Sequence, residues 1–272
     1  MGKKHKKARP TLADTADRHE LYEASVQNVA EECSLIAYLF KKFRGRKAKS
    51  LREDFCGTAS AACEWVRLGS AHYAFGVDLD PEVLAWGRKH QVKALKRRQR
   101  QRIALFQGDV LTTETPPVDV VVAFNFSYWI FKDRDTLRQY FRQVHAGLNS
   151  DGVFFLDAFG GPDALTEVKE RTDFDGFTYV WHQAKYTPVT GEMTTRIHFE
   201  FPDGSKLKKA FSYEWRLWTL PEIRELLEEA GFKNVTVWFE LHDENGEGLG
   251  EWLPNPKGPP DPAWIANITA EK

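Results

Sequence analysis

Residues 50–84 constrain the fold of this chain more than any other stretch. SLREDFCGTASAACEWVRLGSAHYAFGVDLDPEVL reads as strand, tight turn, helix, strand and acidic residue. Apolar character gives way to polar after Leu51, and Cys56-Gly57-Thr58-Ala59-Ser60 follows as an unbroken series of small residues. Small side chains let a backbone approach a ligand closely, and a helix that opens there turns its unpaired N–H groups toward it. Ala61, Ala62 and Trp65 continue that helix, and Ala74-Phe75-Gly76-Val77 reads as a short buried strand ending at Asp78. A carboxylate about 20 residues beyond a glycine turn accepts hydrogen bonds from both hydroxyls of a ribose. An adenosine-containing ligand is therefore the first expectation.

The alternation continues downstream. Asp80-Pro81 caps a helix with Leu84, Val92 and Leu95 along one stripe, and Ile103-Ala104-Leu105-Phe106 forms the next strand, ending at Gln107-Gly108-Asp109-Val110. The apolar run VDVVVAF, residues 118–124, suits a strand covered on both faces, and Asn125-Phe126-Ser127-Tyr128 closes it. Leu137, Tyr140, Phe141, Val144 and Leu148 share a helix face before the turn Asn149-Ser150-Asp151-Gly152 and the strand Val153-Phe154-Phe155-Leu156. Strands alternating with helices predict a parallel, doubly wound sheet. Right-handed crossovers then bring the strand ends carrying Gly57, Asp78, Asp109 and Asn125 to one edge.

The flanking regions read differently. Val29, Cys33, Ile36, Ala37 and Phe40 predict a helix within a cap at residues 16–46, and Tyr22 lies in a mixed segment just before it, suited to packing or to covering a ligand. Residues 174–218 alternate in period two around the turns Pro188 to Gly191 and Pro202-Asp203-Gly204, which predicts an antiparallel insertion of about three strands over the crevice. Thr219-Leu220-Pro221-Glu222 is a capping box for a helix with Ile223, Leu226, Leu227 and Ala230 inward and Gly231 at its end. A strand from Phe232 to Leu241, a loop over residues 242–262 and a last antiparallel strand at residues 263–270 complete the chain.

With 272 residues, 42% of them hydrophobic, the chain has material for one large domain: a mobile basic tail at residues 1–15, then a single domain at 16–272. The net charge of −1 excludes a protein that binds nucleic acid by overall electrostatics. Two basic stretches, MGKKHKKARP and residues 88–102, read as a solubilising end and a solvated helix face, or as guides for an anionic partner. Cys33, Cys56 and Cys63 are too few and too irregular for a disulfide framework or a zinc site, and His182 and His198 do not form a ligand-spaced cluster. No apolar run approaches 18 residues, so a cytoplasmic protein with no membrane partner and no metal is expected.

From about Leu51 onward this order of elements resembles the class I S-adenosylmethionine-dependent methyltransferases. In that family an acidic-x-Gly-x-Gly-x-Gly turn follows the first strand, and the matching residues are Glu53-Asp54-Phe55-Cys56-Gly57-Thr58-Ala59, with only the middle glycine kept. The resemblance implies a Rossmann-like, doubly wound, seven-stranded sheet, mostly parallel with a final antiparallel hairpin, plus the small antiparallel β insertion. It also implies S-adenosyl-L-methionine as cofactor and S-adenosyl-L-homocysteine as product, with Glu53, Phe55, Gly57 and Thr58 in the binding turn. Asp78 maps onto the acid that holds the ribose, with Leu79 beside the adenine. Asp109 maps onto the acid at the adenine amino group, with Val110 adjacent, and Asn125 onto the residue beside the methyl donor. Ala230-Gly231-Phe232 and the two final strands match the family's closing pattern, which dinucleotide dehydrogenases lack.

Methyl transfer from a sulfonium is an in-line displacement that needs positioning above all, and a base only where the nucleophile must lose a proton. The catalytic candidates are Tyr22, Asn125, Tyr128 and Arg216, the last either an anchor for a substrate carboxylate or phosphate or a surface arginine covering tryptophan. His198 and Tyr213 join the candidates for the substrate wall. Asn125-Phe126-Ser127-Tyr128 stands where amino-methylating enzymes of nucleic acid and protein carry Asn-Pro-Pro-Tyr, but both prolines are missing. The expected activity is methyl transfer to an N or O nucleophile of a small molecule. RNA or protein methylation guided by the basic stretches, and a catalytically silent binding scaffold, are the alternatives. The oligomeric state is left open.

Overall fold

The computed structural model describes residues 9–243, 246 and 248–272. In chain order its elements begin with α1 (Leu12–Thr15), α2 (Arg18–Val26), α3 (Val29–Arg44), β1 (Ser50–Asp54), α4 (Ser60–Arg67), β2 (Tyr73–Asp78) and α5 (Pro81–Gly87). There follow α6 (Arg97–Arg100), β3 (Ile103–Gln107), β4 (Val118–Ala123), α7 (Arg134–Gly147) and β5 (Leu148–Gly160). Next come β6 (Val168–Phe174), β7 (Phe177–Thr187), β8 (Glu192–Glu200) and β9 (Lys206–Arg216), then α8 (Leu220–Glu229), β10 (Lys233–His242), β11 (Gly248–Pro254) and β12 (Trp264–Glu271). The chain divides into two compact units, a larger one of residues 28–165 with 216–272 and a smaller one formed by 166–215 and the segment ending at Gln27.

The larger unit is built on one sheet in the order β11-β10-β12-β5-β4-β1-β2-β3. The pairs β4–β5, β1–β4, β1–β2 and β2–β3 are parallel, and β12 runs antiparallel to both β5 and β10. Order reverses between β1 and β4, which opens a crevice beyond their carboxyl ends. Leu51, Val120, Val122, Val153 and Phe155 face α3 and α4, whose Cys33, Ile36, Phe40, Ala62 and Val66 are buried among them. On the opposite face Tyr140 and Phe141 of α7 pack on Phe154, which stacks on Phe232. The expected doubly wound architecture is present, but among the described residues the sheet has eight strands, not seven. The extra strand, β11, occupies part of the expected loop at 242–262 and pairs only with β10, at the edge. Residues 244, 245 and 247 of that loop lie outside the described residues.

All residues of β1 are buried, although three of them are charged. Alternation sends Arg52 and Asp54 to one face and Glu53 to the other. Arg52 and Asp54 form a two-point ion pair, Nε to Oδ1 at 2.8 Å and Nη2 to Oδ2 at 2.9 Å, and the Tyr140 hydroxyl donates to Asp54 Oδ2 at 3.0 Å. Burial raises the cost of ionising Asp54, and the arginine beside it offsets that cost.

In the smaller unit β6, β7, β8 and β9 form an antiparallel sheet in that order, of four strands rather than three. It starts at Val168, because β6 is exposed along its middle and carries no apolar alternation of its own. Leu21, Tyr22 and Val26 of α2 pack on Ile197, Phe199 and Ala210 of the sheet. The expected mobile tail falls partly outside the described residues, at 1–8, and residues 12–15 form α1. Thr11 caps α1, the Leu12 N–H donates to Asp203 Oδ2 at 2.9 Å, and the Ala13 N–H donates to Ser205 Oγ at 3.1 Å.

The expected basic helix over 88–102 is instead a wide turn at Arg88–Val92 followed by the short α6. Arg102 is drawn inward, donating to the carbonyls of Val66 in the last turn of α4 and of Gly69 and His72 beyond it. Among the described residues no helix is long and apolar enough to cross a membrane.

Removing one member of the buried pair on β1 strands the other. Asp54→Ala is expected to destabilise the protein by about 3–5 kcal/mol, read from urea denaturation, because Arg52 keeps its charge without a partner. The double change Arg52→Met with Asp54→Leu is expected to recover much of that loss.

Candidate active site

The turn that follows β1 is left-handed at alternate residues, with φ of 55° at Phe55, 51° at Gly57 and 61° at Ala59. These are the three positions at which the sequence motif calls for glycine. Phe55 and Ala59 therefore keep the backbone path without the glycines, at a steric cost of about 1–2 kcal/mol each. Packing holds them there: the Phe55 ring lies 5.5 Å from Tyr140 and 5.9 Å from Phe131, and Ala59 is fully buried. A methyl group placed on Gly57 would meet nothing nearer than Val83 Cγ2 at 4.0 Å. The backbone here borders open room, as a close-approaching ligand requires.

Hydrogen bonds brace the turn from both sides. The Gly57 N–H donates to Asp78 Oδ2 at 2.7 Å, and the Asp80 N–H to Asp78 Oδ1 at 2.9 Å. Glu53 Oε2 accepts the Ala62 N–H at 2.8 Å, which places its carboxylate at the start of α4, and Thr58 and Ser60 hydroxyls meet at 3.3 Å. Leu79 is 69% exposed beside Asp78. The Gly108 N–H donates to the Asp78 carbonyl at 2.9 Å, which carries the array onto β3. Asp109 turns its carboxylate to the Leu111 N–H at 2.9 Å, while Val110 is buried. Strand order thus brings Gly57, Asp78, Leu79 and Asp109 along one edge, with Asn125 on the other side of β1.

Beyond β4, Asn125 and Phe126 are also left-handed, each with φ of 57°. Their N–H groups donate to the two oxygens of one carboxylate, Asp157 of β5, at 2.7 and 2.9 Å. The stiffness that the missing prolines would have supplied comes from this clamp. The Tyr128 hydroxyl donates to the Asp157 carbonyl at 2.7 Å and the side chain is fully buried, so Tyr128 is a packing residue rather than a catalytic one.

Arg216 likewise differs from an anchor awaiting an anion. Its guanidinium lies 3.8 Å from the Trp218 ring centroid, donates to Glu222 Oε1 at 2.7 Å and reaches the Lys132 carbonyl at 3.1 Å. Tyr22 and Tyr213 lie in the apolar cluster of the smaller unit, where Tyr22 packs on Phe211 and Tyr213 stacks on Trp215.

Asp157 was not among the expected site residues, yet one signal marks it: it is the charged residue inside the apolar run VFFLDAF, residues 153–159. Burial pushes its carboxyl up to about 7 against the two N–H donors, and pushes Glu53 up to about 8. Glu32 of α3 is raised to about 7, chiefly by burial, and its charge adds to the rise at both Glu53 and Asp157. Asp78 is raised as well, again first by burial. Carboxylates held reluctantly ionised favour a cationic occupant, which would return each toward its charged form. Among the described residues no group of three or more His, Cys, Asp or Glu is arranged to hold a metal ion.

Residues 56–154 match the family described as methyltransferase domain. Solved structures share the fold across nearly the whole chain. An S-adenosylmethionine-dependent methyltransferase from Clostridium acetobutylicum aligns with a TM-score of 0.66 at 16% identity, covering 93% of this chain and 96% of its own. An S-adenosylmethionine-bound amino pentose methyltransferase from Micromonospora echinaspora aligns with a TM-score of 0.64 at 16% identity, over 93% and 95%. A sugar N-methyltransferase from Streptoalloteichus aligns with a TM-score of 0.63 at 16% identity, over 94% and 93%. No curated protein sequence matches. The sheet, with the turn after β1, has the Rossmann-like fold of these structures. The fold is the one these S-adenosylmethionine-dependent methyltransferases share, and residues 56–154 carry the match to a methyltransferase domain.

Replacing the Asp157 side chain tests the clamp on the β4 loop. Asp157→Ala leaves two N–H groups unpaired and is expected to cost about 2–3 kcal/mol in denaturant unfolding. Asp157→Asn, whose amide oxygen still accepts a hydrogen bond, is expected to cost less.

Proposed function

We propose that this protein transfers the methyl group of S-adenosylmethionine to a nitrogen or oxygen nucleophile of a small molecule. The observation that carries this reading is the turn from Phe55 to Ala59, which keeps three alternating left-handed residues, beside open room at Gly57 and in contact with Asp78. The turn backbone would hold the methionine portion, Asp78 the ribose hydroxyls, and exposed Leu79 with Asp109 the adenine. When bound, S-adenosylmethionine would supply an electrophilic methyl carbon, with the carbon–sulfur bond as the one to break. What the chain contributes is placement, through the clamped Asn125 loop, and an acidic lining from Glu53, Asp78 and Asp157 that favours positive charge.

The likeness to an amino pentose methyltransferase and a sugar N-methyltransferase supports a small-molecule acceptor, with an amine favoured. An acidic lining suits such an acceptor as well as it suits the cofactor. Inward use of Arg102 weakens the reading of residues 88–102 as a continuous track for RNA. Cys33, Cys56 and Cys63 are buried thiols, which supports a reducing, cytoplasmic setting.

Calorimetric titration with S-adenosylmethionine and S-adenosylhomocysteine tests the cofactor site. Asp78→Ala is expected to weaken both by roughly ten- to a hundredfold, the worth of a hydrogen bond to a charged group. No binding of either compound would overturn the reading. Binding without transfer of labelled methyl to pools of small amines, alcohols or RNA would leave a scaffold.

The raised carboxyls predict a pH dependence with a definite sign. A cationic ligand binds the ionised form, so binding releases protons, and affinity should rise with pH until it levels off above about 8, the value for Glu53 in the free protein. The effect should be larger for S-adenosylmethionine than for S-adenosylhomocysteine, which lacks the sulfonium charge. Titrations in buffers of different ionisation enthalpy measure the protons released.

A further inference from the structure

The two faces of the sheet in the smaller unit are chemically opposite. One packs on α2 through Ile197 and Phe199, whereas the other carries His198 and Glu200 from the same strand, alternating with them. On that second face lies a depression of about 360 Å³ lined by Lys169 and Arg171 of β6, His198 and Glu200 of β8, and Lys206 and Lys208 of β9, with Val180. Four cations thus surround one carboxylate. Glu200 is already engaged, by Lys206 at 2.8 Å and by Arg171 at 3.8 Å. Lys169 and Lys208 form no ion pair among the described residues, and both are exposed. Among the described residues the lining of the depression has a surplus of positive charge.

A second observation is independent of that charge count. Lys209 interrupts β9 with a φ of 52°, a left-handed conformation that a lysine adopts at a cost, and its N–H donates to His198 Nδ1 at 2.9 Å. Because Nδ1 is an acceptor, the proton of the neutral ring sits on Nε2, which lies 3.3 Å from His182 Nδ1. The strained residue therefore sets the tautomer of a cross-strand histidine pair at the edge of the depression. Burial, with Lys169 and Arg196 nearby, holds both rings below the usual histidine range, which favours their neutral forms. An anion would relieve the repulsion that keeps them so.

We propose that this depression binds a phosphate-bearing anion, a function separate from methyl transfer. The volume exceeds what one carboxylate fills and lies within the range of small-molecule pockets. Cations presented from two strands on opposite sides match a group with several equivalent oxygens. Nucleic acid is the poorer fit: the site is a bounded depression, and no Phe, Tyr or Trp in its lining offers a surface on which a base would stack.

The test is calorimetric titration of the full chain with inorganic phosphate, pyrophosphate and a nucleoside diphosphate, alongside single-stranded RNA followed by fluorescence anisotropy. Saturable binding of at least one small phosphate is expected, weakened about tenfold or more when both lysines are neutralised by Lys169→Gln and Lys208→Gln. Thermal unfolding of that double variant should match the parent, because neither side chain is buried or paired. The ring resonances of His182 and His198 should shift saturably with the anion in the parent and not in the variant. Inorganic phosphate binding as well as the nucleotide identifies a site for the free ion, and tighter nucleotide binding one for a phosphorylated metabolite. No binding of any small phosphate, binding that the variant leaves unchanged, or binding of RNA alone would each overturn the proposal.

Discussion

The hydrogen bond from the Gly57 N–H to the Asp78 carboxylate, at 2.7 Å, joins the two strand ends on which the rest of the crevice depends. Asp78 uses its other oxygen on the Asp80 N–H and its carbonyl on the Gly108 N–H, so one residue ties the ends of β1, β2 and β3 together. The bond holds a turn that is strained where Phe55 and Ala59 stand in left-handed conformations. Such conformations persist only where the surroundings over-determine them. Here the ring of Phe55 is wedged near Phe131 and Tyr140, and Ala59 is enclosed.

Charge in the central strand is divided by the pleat. Arg52 and Asp54 neutralise each other beneath α7, whereas Glu53, on the other face, is met by the N-terminus of α4. Asp157 is in a similar position, satisfied by two N–H groups and, among the described residues, by no cation. Carboxylates solvated by backbone donors alone stay ionised with difficulty, and Glu32 nearby makes it harder. In the proposed function, a cofactor carrying a sulfonium and an ammonium would supply the missing counter-charge.

Much of the fold could be read in the chain because its central strands are unambiguous. VDVVVAF reads as a doubly covered strand whatever surrounds it, and Thr219 to Glu222 announces a helix by its own capping chemistry. The two strands that escaped notice, β6 and β11, are both at sheet edges and largely exposed. Their backbone pairing is supplied by a neighbour, and exposed strands have no need of an apolar face. Arg102 looked like part of a solvated basic face because the carbonyls that draw it in, those of Val66, Gly69 and His72, are 30 residues or more away in the chain.

Sequence alone determined the alternation of strands and helices, the order of the acidic residues at the strand ends, and the place of the turn between β1 and α4. These follow from local periodicity and residue size, which neighbours in the chain express by themselves. Whether a turn with Phe55 and Ala59 in place of glycine still follows the glycine path was decided only by tertiary packing, since aromatic contacts from α7 and the segment before it outweigh the local steric penalty. The same holds for the loop after β4, where Asp157, 32 residues from Asn125, supplies a rigidity absent from the loop's own residues. It holds too for Tyr128 and Arg216, whose polar groups are taken up by Asp157 and Glu222. Composition can nominate a polar side chain for chemistry, but only the packed fold shows which of them already have partners.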